Sequence, residues 1–223
     1  MKMFEYADRE MLAIEVANNL AGELKQSLLV NEFASFAVPG GTSPGPIFDA
    51  LCAADLDWSR VHVMLTDERW VDEDHAQSNT ALLRNRLLTN RAAAAKFIAF
   101  YRPEQTATEA AADLSEQLKS ELPISVLLLG MGADMHTASL FPGAPELEAA
   151  LAANAPALCA VQPPGHEISR LSLTGPALSG AMSTHIVIYG DEKREALNRA
   201  SSLPALQAPV STVLSTAHIH WAA

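Results

Sequence analysis

Cysteine is nearly absent from this chain, aromatic residues are sparse, and basic residues are outnumbered by acidic ones. The two cysteines, Cys52 and Cys159, form no CxxC pair and no metal-ligand spacing. This excludes a disulfide-stapled secreted scaffold and a cysteine-rich metal module, and leaves reduced thiols packed in the core of a cytoplasmic protein. Aromatics make up only 6% of a chain that is 49% hydrophobic and rich in alanine, so its core is expected to rest on close-packed helices rather than aromatic clusters. No apolar run approaches the roughly 20 residues needed to span a bilayer, and no basic-then-apolar signal segment opens the sequence. A cytoplasmic location is therefore expected. With 15 basic against 26 acidic residues, the net charge of −11 argues against nucleic acid or an anionic membrane as the main partner. A small anion is a different matter, because two or three local arginines outweigh a distant negative field.

What is present is an alternation of strand and helix signals. Met11, Ile14, Val16, Leu20, Leu24 and Leu28 recur at helical spacing from about Met11 to Leu29. Short apolar runs predict strands at Phe33–Val38, Val61–Thr66, Lys96–Phe100, Ile124–Leu129, Ala157–Val161, Arg170–Leu173, His185–Tyr189 and His218–Trp221. Helices are expected from the Gly-rich turn to about Cys52, from a Ser78/Asn79 cap through Leu88, and over Thr106–Ser120. The run Ile124–Leu129 suits a strand buried on both faces of a parallel sheet. The expected architecture is α/β, one domain over residues 1–223, with a doubly wound, mostly parallel sheet flanked by helices. In such a sheet ligands gather at the carboxyl ends of strands.

Three strand ends carry the candidate chemistry. Gly40-Gly41-Thr42-Ser43-Pro44 joins a strand to a helix, and its amides and hydroxyls form a candidate anion site. It is neither a Walker loop nor GxGxxG, so no nucleotide is implied. Arg69 follows a buried strand and two acids, Asp67 and Glu68; it is either ion-paired with one of them or held by them toward a phosphate. Asp134 and His136 lie two apart after the most buried strand, where an extended backbone would point both the same way. The acid then orients the imidazole, whose other nitrogen takes a proton from water. His62, His75, His166, His185, His218 and His220 are scattered without a zinc-ligand spacing, so no metal is assigned. No Gly-x-Ser-x-Gly elbow exists, and Thr137–Leu140 reads as the first turn of a helix, so Ser139 is not taken as a nucleophile.

The segments Val38–Pro44, Leu65–Val71, Gly130–Gly143 and Arg170–Leu178, in that order along the chain, resemble the 6-phosphogluconolactonase family, within the larger group that includes glucosamine-6-phosphate deaminases. The resemblance implies hydrolysis of a sugar-phosphate lactone, 6-phospho-D-glucono-1,5-lactone, without metal or organic cofactor, by a monomer or weak homo-oligomer. It makes His136 the general base and Asp134 its orienting acid. It places Asp67 in the pocket and assigns the phosphate to Arg69, Arg170 and the Gly41–Ser43 turn. A deaminase would continue the histidine motif differently from Thr137–Gly143, and a non-catalytic sugar-phosphate sensor would not need the Asp–His pair. Two departures stand out. Met135 occupies the place of a usual glycine, and the stretch Val161–His166 lacks a usual lysine. The expectation for Met135 is an extended residue at negative φ, its side chain turned away from the Asp134/His136 face.

Overall fold

The computed structural model describes residues 1–223. Strand β1 (Lys2–Glu5) leads into helix α1 (Arg9–Val30), which starts where the Asp8 carboxylate accepts from the Met11 amide. Leu12, Val16, Leu20, Leu24 and Leu28 form its buried stripe, while Met11 and Ile14, assigned to that stripe by periodicity, are exposed. There follow β2 (Ala34–Val38), α2 (Gly45–Leu51), β3 (Val61–Leu65), β4 (Asp67–Arg69), α3 (Asn79–Arg86), β5 (Lys96–Ile98) and α4 (Ala107–Gln117). Then come β6 (Val126–Gly130), α5 (Leu147–Leu151), β7 (Leu158–Val161), β8 (Arg170–Leu173) and α6 (Gly175–Ser179). The chain ends with β9 (Ser183–Tyr189), α7 (Asp191–Ala200), α8 (Ser211–Leu214) and β10 (His218–Ala222). No helix is long and apolar enough to cross a membrane.

Seven strands form a parallel sheet in the order β1-β10-β9-β6-β2-β3-β5. The α/β, doubly wound class is as expected. The chain winds outward from β2 through β3 to β5, then returns to β6 on the other side of β2 and winds outward through β9 to β10. The direction reverses between β2 and β6, and this topological switch point opens a crevice at their carboxyl ends.

Two strands read as members of this sheet lie elsewhere. β7 and β8 pair antiparallel with each other, and β8 pairs with β4, forming a separate sheet in the order β4-β8-β7. The reason lies in the connection: only residues 162–169 separate β7 from β8, with no helix among them, and a parallel crossover needs a dozen or more. The two sheets meet at Thr66. Its amide donates to Val38 O of the large sheet at 2.8 Å, and its carbonyl accepts from Leu173 N of the small one at 2.9 Å. The small sheet thereby stands beside the switch-point crevice.

Candidate active site

At the end of β2 the chain turns through Pro39, Gly40 and Gly41. Gly41 has φ +82°, a conformation that glycine adopts without strain. A Cβ on Gly40 would overlap the side-chain amide of Asn79, whose Nδ2 donates to Asp67 O at 2.8 Å, so glycine is what lets these two loops touch. Gly40, Gly41 and Ser43 line the crevice, whereas Thr42 is exposed and lies outside its wall.

The acids before Arg69 do not hold its guanidinium. Glu68 is fully buried and accepts from the amides of Arg69, Asn79 and Thr80 and from Thr80 Oγ1, at 2.7–2.8 Å. It caps the start of α3 alongside Ser78, and burial pushes its carboxyl above the usual range against the pull of those bonds. Asp67 accepts from Ser139 Oγ at 2.6 Å and lines the crevice. Arg69 instead donates through Nη1 to Gln77 O at 2.7 Å, an anchor that leaves the rest of the guanidinium facing the crevice. Across the antiparallel ladder Arg69 pairs with Arg170. Arg170 is 6% exposed, and its Nη1 has no hydrogen-bond partner in the chain. Burial and the neighbouring Arg69 lower its pKa. A buried cation with an idle donor beside a second cation is costly unless an anion completes it.

The loop after β6 carries the third group. His136 Nδ1 stands 2.6 Å from Asp134 Oδ1, and its ring stacks on Phe141 at a centroid distance of 4.2 Å. The hydrogen bond from His136 holds the Asp134 carboxyl below its usual range despite partial burial. The pair forms as expected but by another backbone route. Met135 has φ +67°, so the expectation of an extended residue at negative φ is overturned. The Met135 amide donates to Gly132 O at 3.0 Å, and the Gly132 amide donates to His136 O at 3.0 Å, closing a tight loop. That reversal brings Asp134 Oδ1 to both the ring and the amide of His136, and it requires a left-handed residue in the middle. Glycine is the usual solution, and methionine there is strained by about 1–2 kcal/mol. Val210 N donates to Met135 O and the side chain packs against the core, outside the crevice lining. A Cβ on Gly132 would collide with both Asp134 and His136. Thr137–Leu140, expected to begin a helix, is a tight turn closed by Leu140 N to Thr137 O at 3.0 Å. This turn directs Ser139 inward to Asp67.

These segments enclose a cavity of about 200 Å³ lined by Gly40, Gly41, Ser43, Asp67, Arg69, Gly130–Gly132 and His136. Sequence reading missed Asn79 as a wall residue and Lys193 altogether. Lys193 sits in a charged run that looks like a solvated helix face. The available signal was its position one turn into the helix that follows the carboxyl end of β9, after Gly190 at φ +81°. The histidines are scattered along the chain but not in space: His185, His218 and His220 gather at the amino ends of β9 and β10, the opposite end of the sheet from the cavity. Cys52 is buried and Cys159 partly so, both as free thiols.

Residues 7–221 match the family model described as glucosamine-6-phosphate isomerases/6-phosphogluconolactonase. A protein from Pseudomonas aeruginosa named 6-phosphogluconolactonase is 40% identical over 211 residues, covering 92% of this chain and 88% of the relative. One of the same name from Pseudomonas putida is 38% identical over 201 residues, covering 90% and 83%. The crystal structure of a 6-phosphogluconolactonase from Shewanella baltica superposes with a TM-score of 0.95 at 31% identity, covering 100% of this chain and 98% of that one. Joined to an Asp–His pair and Arg69 at one switch point, with Arg170 paired to Arg69 across the ladder but outside the cavity lining, these likenesses have a single reading: the chain belongs to the glucosamine-6-phosphate isomerase/6-phosphogluconolactonase family.

Proposed function

We propose that this chain hydrolyses 6-phospho-D-glucono-1,5-lactone to 6-phospho-D-gluconate. The observation that carries the reading is the Asp134–His136 pair, set in the wall of a cavity that also presents Arg69 and glycine amides. The names borne by the relatives in Pseudomonas and Shewanella agree with it.

Arg69, with Arg170 beside it, and the Gly41–Ser43 turn bind the phosphate, so a non-reacting group orients the ring. Asp134, ionised, accepts Nδ1–H of His136 and thereby leaves Nε2 as the basic nitrogen. Nε2 takes a proton from a water, whose oxygen adds to the lactone carbonyl. Amides of Gly40–Gly41 or Gly130–Gly132, both in the wall, stabilise the oxyanion. The carbonyl re-forms, the ring C–O bond breaks, and the His136 imidazolium returns its proton to the departing ring oxygen. Asp67, fixed by Ser139, is an acceptor for a substrate hydroxyl.

The test is a background-subtracted assay of lactone hydrolysis alongside ammonia release from glucosamine 6-phosphate. Lactone opening without ammonia is expected. Ammonia release would identify a deaminase, and the absence of both would favour a sugar-phosphate sensor.

A further inference from the structure

The parallel register of β9 and β10 sets His218 directly beside His185, and the strand period places His220 on the same face. Glu23 of α1 reaches this face. One carboxylate oxygen of Glu23 and one ring nitrogen each of His185 and His218 lie within 4.8 Å of one another. His185 Nε2 is 2.9 Å from Glu23 Oε2, and its Nδ1 is 2.9 Å from His220 Nε2. His220 Nδ1 in turn is 2.7 Å from the Tyr6 hydroxyl. His218 makes no side-chain hydrogen bond in the chain and stands edge-on to the His185 ring at a centroid distance of 5.3 Å. None of these residues lines the lactone cavity.

We propose that Glu23, His185 and His218 form a binding site for a divalent transition ion, with zinc the best match, at the amino ends of β9 and β10. Two imidazoles and one carboxylate make a mixed nitrogen–oxygen set that suits zinc; magnesium and calcium prefer all-oxygen shells. The three donors leave a fourth tetrahedral position for water, and one of them, Glu23, also borders a cleft of about 680 Å³. The supporting shell is already in place. A metal-bound imidazole fixes its other nitrogen by donating to a neighbour. With the ion on Nε2, His185 donates from Nδ1 to His220 Nε2, and His220 donates from Nδ1 to the Tyr6 oxygen. Without the ion the same contacts run in reverse: Tyr6 donates to His220, His220 to His185, and His185 Nε2–H to Glu23. The number of protons is the same in both arrangements and no buried nitrogen is orphaned in either. The ion therefore replaces the hydrogen bond between His185 and Glu23 and ties α1 to β9 and β10. It has no part in lactone opening.

The experiment uses the untagged full chain, stripped with chelator, titrated with Zn²⁺ by calorimetry and with Co²⁺ by visible absorption. One saturable site is expected, with ligand-field bands of four-coordinate strength and a higher Tm in Zn²⁺. His218→Gln, at a partly exposed position, is expected to abolish the bands and weaken Zn²⁺ binding at least tenfold, with lactonase turnover and metal-free Tm unchanged. Glu23→Gln is expected to weaken binding as well, and His136→Ala to leave it intact. Absence of one-to-one binding, or affinity unchanged in both His218→Gln and Glu23→Gln, would overturn the proposal. So would loss of binding in His136→Ala alone, which would move the ion to the lactone cavity.

Discussion

The two ends of the large sheet are built with opposite chemical signs. At the carboxyl ends the chain offers an excess of donors: glycine amides, Arg69, Lys193 and the idle Nη1 of Arg170. At the amino ends of β9 and β10 it offers lone pairs, those of three imidazoles and a carboxylate; His185, His220 and Glu23 are linked with Tyr6 in one chain of hydrogen bonds, and His218 stands beside it without one. At the first end one donor of Arg170 has no partner, and the backbone is strained at Met135. At the second, the buried nitrogens of His185 and His220 are satisfied within the fold, and His218 is left to take a cation. Folding alone favours the second kind of arrangement, so the first is where binding energy rather than folding energy has shaped the residues.

The largest expected effect falls on His136, the proposed base at the donor-rich end. His136→Ala should lower kcat by roughly two to four orders of magnitude after subtraction of spontaneous lactone hydrolysis. Turnover within a few-fold of the parent would remove His136 as the base. Next come the arginines. Arg69→Ala should cost about ten- to hundredfold in kcat/KM on the phosphorylated lactone and little on glucono-lactone, with poor rescue by lysine. Arg170→Met sharpens the contrast further, because deleting a buried cation with an idle donor should raise Tm while kcat/KM falls by a similar factor. A fall in both would mean that Arg170 is satisfied within the fold and that the asymmetry between the ends is overstated.

Smaller effects probe the loop itself. Met135→Gly and Met135→Ala lose the same thioether packing, but only glycine relieves a positive φ. Glycine should therefore be the more stable variant by about 1 kcal/mol in denaturant unfolding. Equal stabilities would remove strain from the account. The least effect is expected from Asp134→Asn on acid stability. The folded-state pKa of Asp134 is depressed, so its contribution is present above the unfolded value near 3.9 and lost as pH falls through the folded one. The asparagine variant should lose a little stability at neutral pH and show a slightly shallower acid limb in Tm against pH. The half-exposed carboxylate keeps the size small.

The middle of the large sheet is legible because β2 and β6 are apolar runs buried almost throughout, and in the small sheet the expected strand Arg170–Leu173 matches β8 to the residue. β1 and β4 are not, since Lys2–Glu5 and Asp67–Arg69 are short and carry charges at their ends. The second sheet escaped because a strand run does not declare its partner; the short β7–β8 connection did, and it was the clue to weigh. At the site, residue identity travelled better than geometry. Asp134 and His136 meet as expected, yet through a left-handed turn rather than an extended segment, and period-two reasoning has no means of finding a turn that only tertiary contacts enforce. The three histidines at the amino ends show the same limit from the other side. Their proximity is a property of strand register, which spacing along one strand does not encode.

The position of β1 sets the order in which this molecule can be finished. Its only sheet partner is β10, and β10 in turn rests on β9. During synthesis β1 therefore stays unpaired until residues 218–222 have followed, while β2, β3 and β5 are free to assemble much earlier. A strand of four residues beginning with lysine is a poor template for mispairing during that wait. The same wiring makes the segment after α8 a keystone: a chain interrupted there would leave β1 without a partner and β9 exposed along one edge, with the cavity's glycine turn already made but the sheet that backs it open on one side.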